Sequence, residues 1–188
     1  IAHVRMAFLG AKSDALQKMQ ALSSQLAKNE GLLYEKAKRY RKSGNFTEAQ
    51  HILITAPIQA AHAQKWWKEQ NYIARELVAL HEYKAAYKVV KNHKVKPGVD
   101  AFAEAEWFAG WLALRFLDQP DTALQHFKTL ASQVKGAISK SRGTYWIGRA
   151  HEQKKEFALA QKAYAKAARY KTTYYGQLAA AKIKQKPF

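Results

Sequence analysis

The chain contains no cysteine. That excludes a disulfide framework, a thiol nucleophile and a cysteine-based zinc site. An oxidising compartment is compatible with the absence but is not implied by it. Proline is scarce at four residues, and glycine numbers nine in 188, so neither a collagen-like nor a Pro/Gly-rich disordered chain fits. Acidic side chains are few as well. The 14 Asp and Glu stand against 32 Lys and Arg, a formal net charge of +18. Long apolar runs are missing. The longest, Trp107 to Leu114, covers about two helical turns between Glu106 and Arg115, far short of a membrane span. No signal peptide is read, and a start at Ile1 in a helix-like pattern points to a mature chain or an excised fragment.

What is present is a helical pattern. Hydrophobic residues make up 48% of the chain, enough for a core. They recur at three- and four-residue intervals with no convincing strand-like alternation. Turn signals fall at Asn29-Glu30-Gly31, Ser43-Gly44-Asn45, Thr55-Ala56-Pro57, Val95 to Asp100, Asp118-Gln119-Pro120, Lys135-Gly136 and Tyr170 to Thr173. The segments between them have ordinary helix lengths.

The pattern also repeats. Ala49, Ala86, Ala123 and Ala160 stand 37 residues apart. Three places before them come Phe46, Tyr83, Pro120 and Phe157; four places after come Leu53, Val90, Phe127 and Tyr164. A small residue on the second helix of a pair lets the first helix approach, while the large ones fill the flanks. Pro120 falls where the repeat requires a helix start, a position proline favours. On the preceding helices Ala37 and Ala74 align, and Gly110 and Gly148 supply the small residue later. Helix pairs of about 34–40 residues mark tetratricopeptide-like solenoids. The fold expected is therefore all-α, a right-handed superhelix of such pairs. It forms one domain over 1–188, with units at 32–56, 62–93, 100–134 and 139–170 and a closing helix at 172–185.

No catalytic constellation emerges. No two of the seven histidines lie three or four apart, so no helix offers a two-His metal face. Single surface or capping roles are expected for them. Gly143 and Gly148 have the spacing of a phosphate loop but lack the Lys and the Ser or Thr that should follow. Asp100, Asp118 and Asp121 sit near helix starts and read as caps. Glu104 and Glu106, two apart, point in different directions on a helix and do not make a carboxylate pair. Trp107, Trp111 and Trp146 read as core. Tyr174 and Tyr175, after a Thr172-Thr173 helix start, read equally as core or as a surface for rings. The dispersed basic residues predict weak, salt-dependent polyanion binding.

Several motifs in order resemble one family. Glu104 to Leu117 reads EAEWFAGWLALRFL and Ile138 to Ala150 reads ISKSRGTYWIGRA. TTYYGQLA follows at Thr172 to Ala179, with His62, Trp66-Trp67 and Ala85-Ala86-Tyr87 upstream. Over roughly residues 45–182 these are similar to the α-superhelical region of soluble lytic murein transglycosylases. The resemblance implies a periplasmic location in a Gram-negative bacterium. It implies a parent enzyme that cuts the β-1,4 bond between N-acetylmuramic acid and N-acetylglucosamine, leaving 1,6-anhydro ends. In that family a lysozyme-like domain carries the catalytic glutamate, followed by Ser and later by Gly-Leu-Met-Gln. No glutamate here precedes a serine, so no catalytic residue carries over, and no cofactor or metal is expected.

The expected role is thus a non-catalytic scaffold that positions the catalytic domain and contacts cell-wall polymer. Tyr174, Tyr175, Gln177 and Arg149 are the candidate glycan or domain contacts; Ala49, Ala86, Ala123 and Ala160 are the packing positions. Partners would be peptidoglycan, the catalytic domain and other cell-wall proteins, with no nucleic acid. The alternative is a tetratricopeptide-like protein-interaction scaffold. An RNA-reading repeat is disfavoured because the 37-step positions Lys38, Arg75, Leu112 and Arg149 form no regular code.

Overall fold

The computed structural model describes residues 2–10 and 12–184, and among them the protein is all-α, without a strand. It divides into two compact units, Ile1–Val95 and Lys96–Phe188.

The first unit holds α1 (Ala2–Leu9), α2 (Ala15–Gln20), α3 (Ser24–Ala27), α4 (Glu30–Lys42), α5 (Phe46–Thr55), α6 (Ala63–Ala79) and α7 (Tyr83–Lys91). A small apolar cluster of Val4, Ala7, Phe8, Ala15, Met19 and Leu32 joins α1 and α2 to α4. From α4 onward each helix packs on the next, and α4 also meets α6 as α5 meets α7. Asn29 caps α4 by accepting the Leu32 amide at 3.3 Å, and Arg39, Arg41 and Lys42 crowd its last turn, where the helix dipole favours cations. Polar ties fix the pairs. Glu30 accepts from the Trp66 indole at 2.9 Å and the Gln59 amide at 3.1 Å, and Arg41 clasps Glu69. Asn92 donates to the Leu53 and Ile54 carbonyls, satisfying groups that the end of α5 leaves open.

The second unit holds α8 (Asp100–Arg115), α9 (Pro120–Gln133), α10 (Ala137–Gln153), α11 (Phe157–Ala168) and α12 (Tyr174–Lys182). Again each helix packs on its successor, and α10 also touches α8 and α12. Thr173 caps α12 by accepting the Gly176 amide at 3.0 Å. Its hydroxyl lies 2.9 Å from that of Ser141 on α10, and both residues are buried.

The repeat is written into the backbone turns. Gly44, His81, Asp118 and Lys155, each 37 residues after the last, all have positive φ, at 76°, 61°, 51° and 60°. Three of these turns are Schellman motifs. The next residue's amide reaches back five places, from Asn45 to Tyr40, Glu82 to Leu77 and Glu156 to His151. In the third turn the Gln119 amide reaches six places, to Ala113. The extra residue between α8 and α9 explains why Gly110 and Gly148 are 38 rather than 37 apart.

After every such turn the second helix begins at the same place, Phe46, Tyr83, Pro120 or Phe157. Its fourth residue is Ala49, Ala86, Ala123 or Ala160, none more than 3% exposed. The small first-helix positions are matched to what faces them. A Cβ on Gly110 would lie 2.5 Å from the Phe127 ring, and one on Gly148 would lie 2.5 Å from the Tyr164 ring.

Lys155 is exposed, and an L-residue in the left-handed region costs about 1 kcal/mol or more. Lys155→Gly is therefore expected to raise stability by about 1 kcal/mol in urea denaturation. A loss of stability on this change would mean that the turn is not strained at that residue.

Asp100, Asp118 and Asp121 do not cap. The N-caps of α8 and α9 are Val99 and Gln119, without side-chain bonds. Asp118 instead accepts from Gln153 at 2.6 Å and Asp121 pairs with Lys154 at 2.7 Å, so these carboxylates tie α9's entry to α10's end. His93 is also not a surface residue. It is buried, its ring accepts the Val95 amide at 2.9 Å, and it packs edge-on to Trp67.

Candidate aromatic and arginine surface

Helical spacing builds a stripe on the second unit. On α8, Glu104, Trp107 and Trp111 follow at steps of three and four; on α10, Arg142, Tyr145, Trp146 and Arg149 do the same. Tyr174 and Tyr175 open α12. The packing of α8 and α12 on α10 brings these stripes side by side.

The rings form a continuous band. Trp111 meets Phe116 at 4.9 Å and stacks on Trp107 at 5.9 Å; Trp107 meets Trp146 at 6.3 Å. Tyr145 then links Trp146 at 5.9 Å to Tyr175 at 5.5 Å, and Tyr175 meets Tyr174 at 5.1 Å. Offset and edge-on contacts of this kind add to the burial of the rings. Trp146 and Tyr145 are buried, Trp107, Trp111 and Tyr175 are half-buried, and Tyr174 is 70% exposed. The band is therefore core on one side and surface on the other.

Two guanidinium groups lie on it with different environments. Arg149 sits 5.8 Å over Trp146, donates to the Tyr145 hydroxyl at 3.4 Å and pairs with Glu152 at 3.2 Å. Burial lowers its pKa, but the Tyr145 hydrogen bond and the nearby oxygens outweigh this and leave it raised. Arg142 sits 5.4 Å over Trp107 and forms no ion pair among the described residues. Burial dominates there and lowers its pKa, with Tyr175 and Glu104 only partly opposing. The Arg142 Nε and the Trp107 and Trp146 indole nitrogens are buried donors without a hydrogen-bond partner among the described residues. Buried donors ordinarily find a partner, in the protein, in bound water or in a ligand.

Glu152 anchors the end of the band. It accepts from the Tyr164 hydroxyl at 2.9 Å and from Lys182 at 2.8 Å, joining α10, α11 and α12. Burial would raise its pKa, yet the Lys182 and Tyr164 hydrogen bonds prevail and lower it. Tyr164 is held protonated, its pKa raised by burial and by the adjacent Glu152 carboxylate.

Of the residues expected from sequence, Tyr174, Tyr175 and Arg149 are brought together through Tyr145. Gln177 is not; its amide reaches back to the Lys171 carbonyl at 3.4 Å. Glu106 is separate too, taken by His126 at 2.7 Å. Sequence reasoning passed over Arg142, although it lies two turns before Arg149 on the same face of α10. Trp107 and Trp111, read as core, are only partly buried on the band.

Among the described residues no cluster of three His, Asp or Glu side chains could hold a metal ion. No described helix is long and apolar enough to cross a membrane. Compared with protein-family models, with curated proteins and with solved structures, the chain matches none.

Proposed function

We propose that this chain is the non-catalytic superhelical scaffold of a periplasmic peptidoglycan lytic transglycosylase, and that it holds cell-wall polymer on the band of α8, α10 and α12. The superhelical winding of the helix pairs is part of this proposal. The order of the quoted motifs supports the family, and the recurrence of the turn at 37-residue steps supports stacked pairs. The observation that carries the contact is Arg142. A half-buried guanidinium that forms no ion pair among the described residues and whose charge Glu104 only partly offsets, beside partly buried rings, suits a polymer of sugars that bears carboxylates. Ring faces stack on the C–H faces of sugars, and a guanidinium fork binds a stem-peptide carboxylate through two parallel hydrogen bonds. The net charge of +18 adds salt-sensitive attraction to the same polyanion.

Purified sacculi provide the test. The chain should be retained at low salt, and Arg142→Gln combined with Tyr174→Ala should weaken retention by about tenfold. Both substitutions leave the buried rings in place. Muropeptide analysis should show anhydro ends from a longer product of the same gene and none from this chain. If the wild-type chain is not retained at low salt, wall contact fails and the protein-interaction scaffold becomes the better reading.

A further inference from the structure

We propose that a second site, the cleft between α9, α10 and α11, binds a phosphate-bearing ligand. The cleft encloses about 350 Å³, within the usual range for small-molecule sites. Lys128 of α9, Lys140 of α10 and Lys166 of α11 line it, with Ala131, Ile147 and Tyr170 as apolar wall. No carboxylate is among the lining residues. None of the three ammonium groups makes an ion pair among the described residues, whereas Lys154 and Lys182 nearby in sequence are held by Asp121 and Glu152.

Like charges that line one cleft repel each other, and the acids of these helices are engaged elsewhere. A ligand with several anionic oxygens relieves that repulsion. The chemistry selects phosphate over a lone carboxylate. Ammonium groups act as point charges able to surround a tetrahedral group, whereas a planar carboxylate is best met by an arginine fork. The apolar wall receives the organic part attached to the phosphate. This cleft uses a different face of α10, that of Lys140, Thr144 and Ile147, from the face carrying Arg142 and Arg149. It does not depend on the cell-wall reading.

The experiment is calorimetric titration of the whole chain with inorganic pyrophosphate at physiological ionic strength. Saturable binding at one site is expected. Lys128→Gln/Lys166→Gln, both exposed positions, should weaken it by about tenfold or more. Lys84→Gln/Lys88→Gln on α7 removes equal charge from exposed positions and should leave it unchanged. Ser132→Glu, which sets a carboxylate in the lining while keeping all three lysines, should abolish it. Equal weakening by the α7 pair would overturn the proposal, as would the absence of saturable binding or unimpaired binding by Ser132→Glu. Vesicles of phosphatidic acid in phosphatidylcholine separate the sources. Sedimentation that requires Lys128 and Lys166 assigns the site to a lipid headgroup; pyrophosphate binding without sedimentation assigns it to a soluble phosphate compound.

Discussion

Replacing Gly176 with alanine should destabilise the second unit by about 3 kcal/mol or more. A Cβ there would lie 2.0 Å from the Tyr170 carbonyl oxygen and 2.7 Å from its carbon. Those are backbone atoms, so no rotamer change gives relief; the start of α12 must move. Moving it strains the Thr173 cap, which holds the Gly176 amide at 3.0 Å, and the contact of Thr173 with Ser141. Loss of an N-cap alone costs about 1 kcal/mol. Tyr174 and Tyr175 would leave the aromatic band with the displaced helix. Chemical denaturation should show the loss, and limited proteolysis should cut first at α12. Gly136→Ala is the control, because nothing lies within 4 Å of its added Cβ. If the two variants prove equally stable, the close approach at Gly176 is wrong.

The second large effect is a coupled one. Gly148→Ala places a Cβ 2.5 Å from the Tyr164 ring. That ring cannot swing away readily, since Tyr164 is 2% exposed and its hydroxyl is held by Glu152. Overpacking of this kind costs about 1–3 kcal/mol, against about 1 kcal/mol gained from helix propensity. Tyr164→Leu alone should also destabilise, by leaving a cavity. Together the changes should cost clearly less than their sum, with a coupling of about 1–2 kcal/mol. The earlier pairs already carry that combination, with Ala37 and Leu53 or Ala74 and Val90 at the matching positions. A double-mutant cycle by urea denaturation measures the coupling. Simple additivity would mean that the small and large positions do not answer one another.

Much of the helical organisation was legible because spacing has a local cause. Apolar residues recur with the turn of the helix, and the alanine step of 37 residues locates each second helix. Pro120 and Thr173 mark starts through chemistry confined to one turn. The left-handed turns were only partly legible. Gly44 and Asp118 fall in turns that composition marks, but His81 and Lys155 do not announce theirs, because a residue other than glycine seldom adopts that conformation. The aspartates were misread for a related reason. Asp118 and Asp121 have the composition of caps, yet Gln153 and Lys154 from the next helix reach them first.

The candidate surface divides in the same way. Tyr174, Tyr175 and Arg149 were visible as residues whose chemistry suits rings and carboxylates. Arg142 was not, because its side chain on α10 looks like any other basic residue in so cationic a sequence. What distinguishes it is Trp107 at 5.4 Å and the lack of an ion pair among the described residues, Glu104 of α8 offsetting its charge only in part. Both are facts about α8 beside α10.

By itself the sequence determined the all-helical class, the places where helices begin and the 37-residue step, because each is set by spacing within a turn or between like turns. The tertiary structure alone decided which cations stay unpaired. Ion pairing depends on which helix lies alongside, and Glu152 is reached from α12 by Lys182 while no acid reaches Lys128, Lys140 or Lys166 among the described residues. Charge in the sequence is a sum over the chain, whereas a binding surface is a local imbalance that only packing can create.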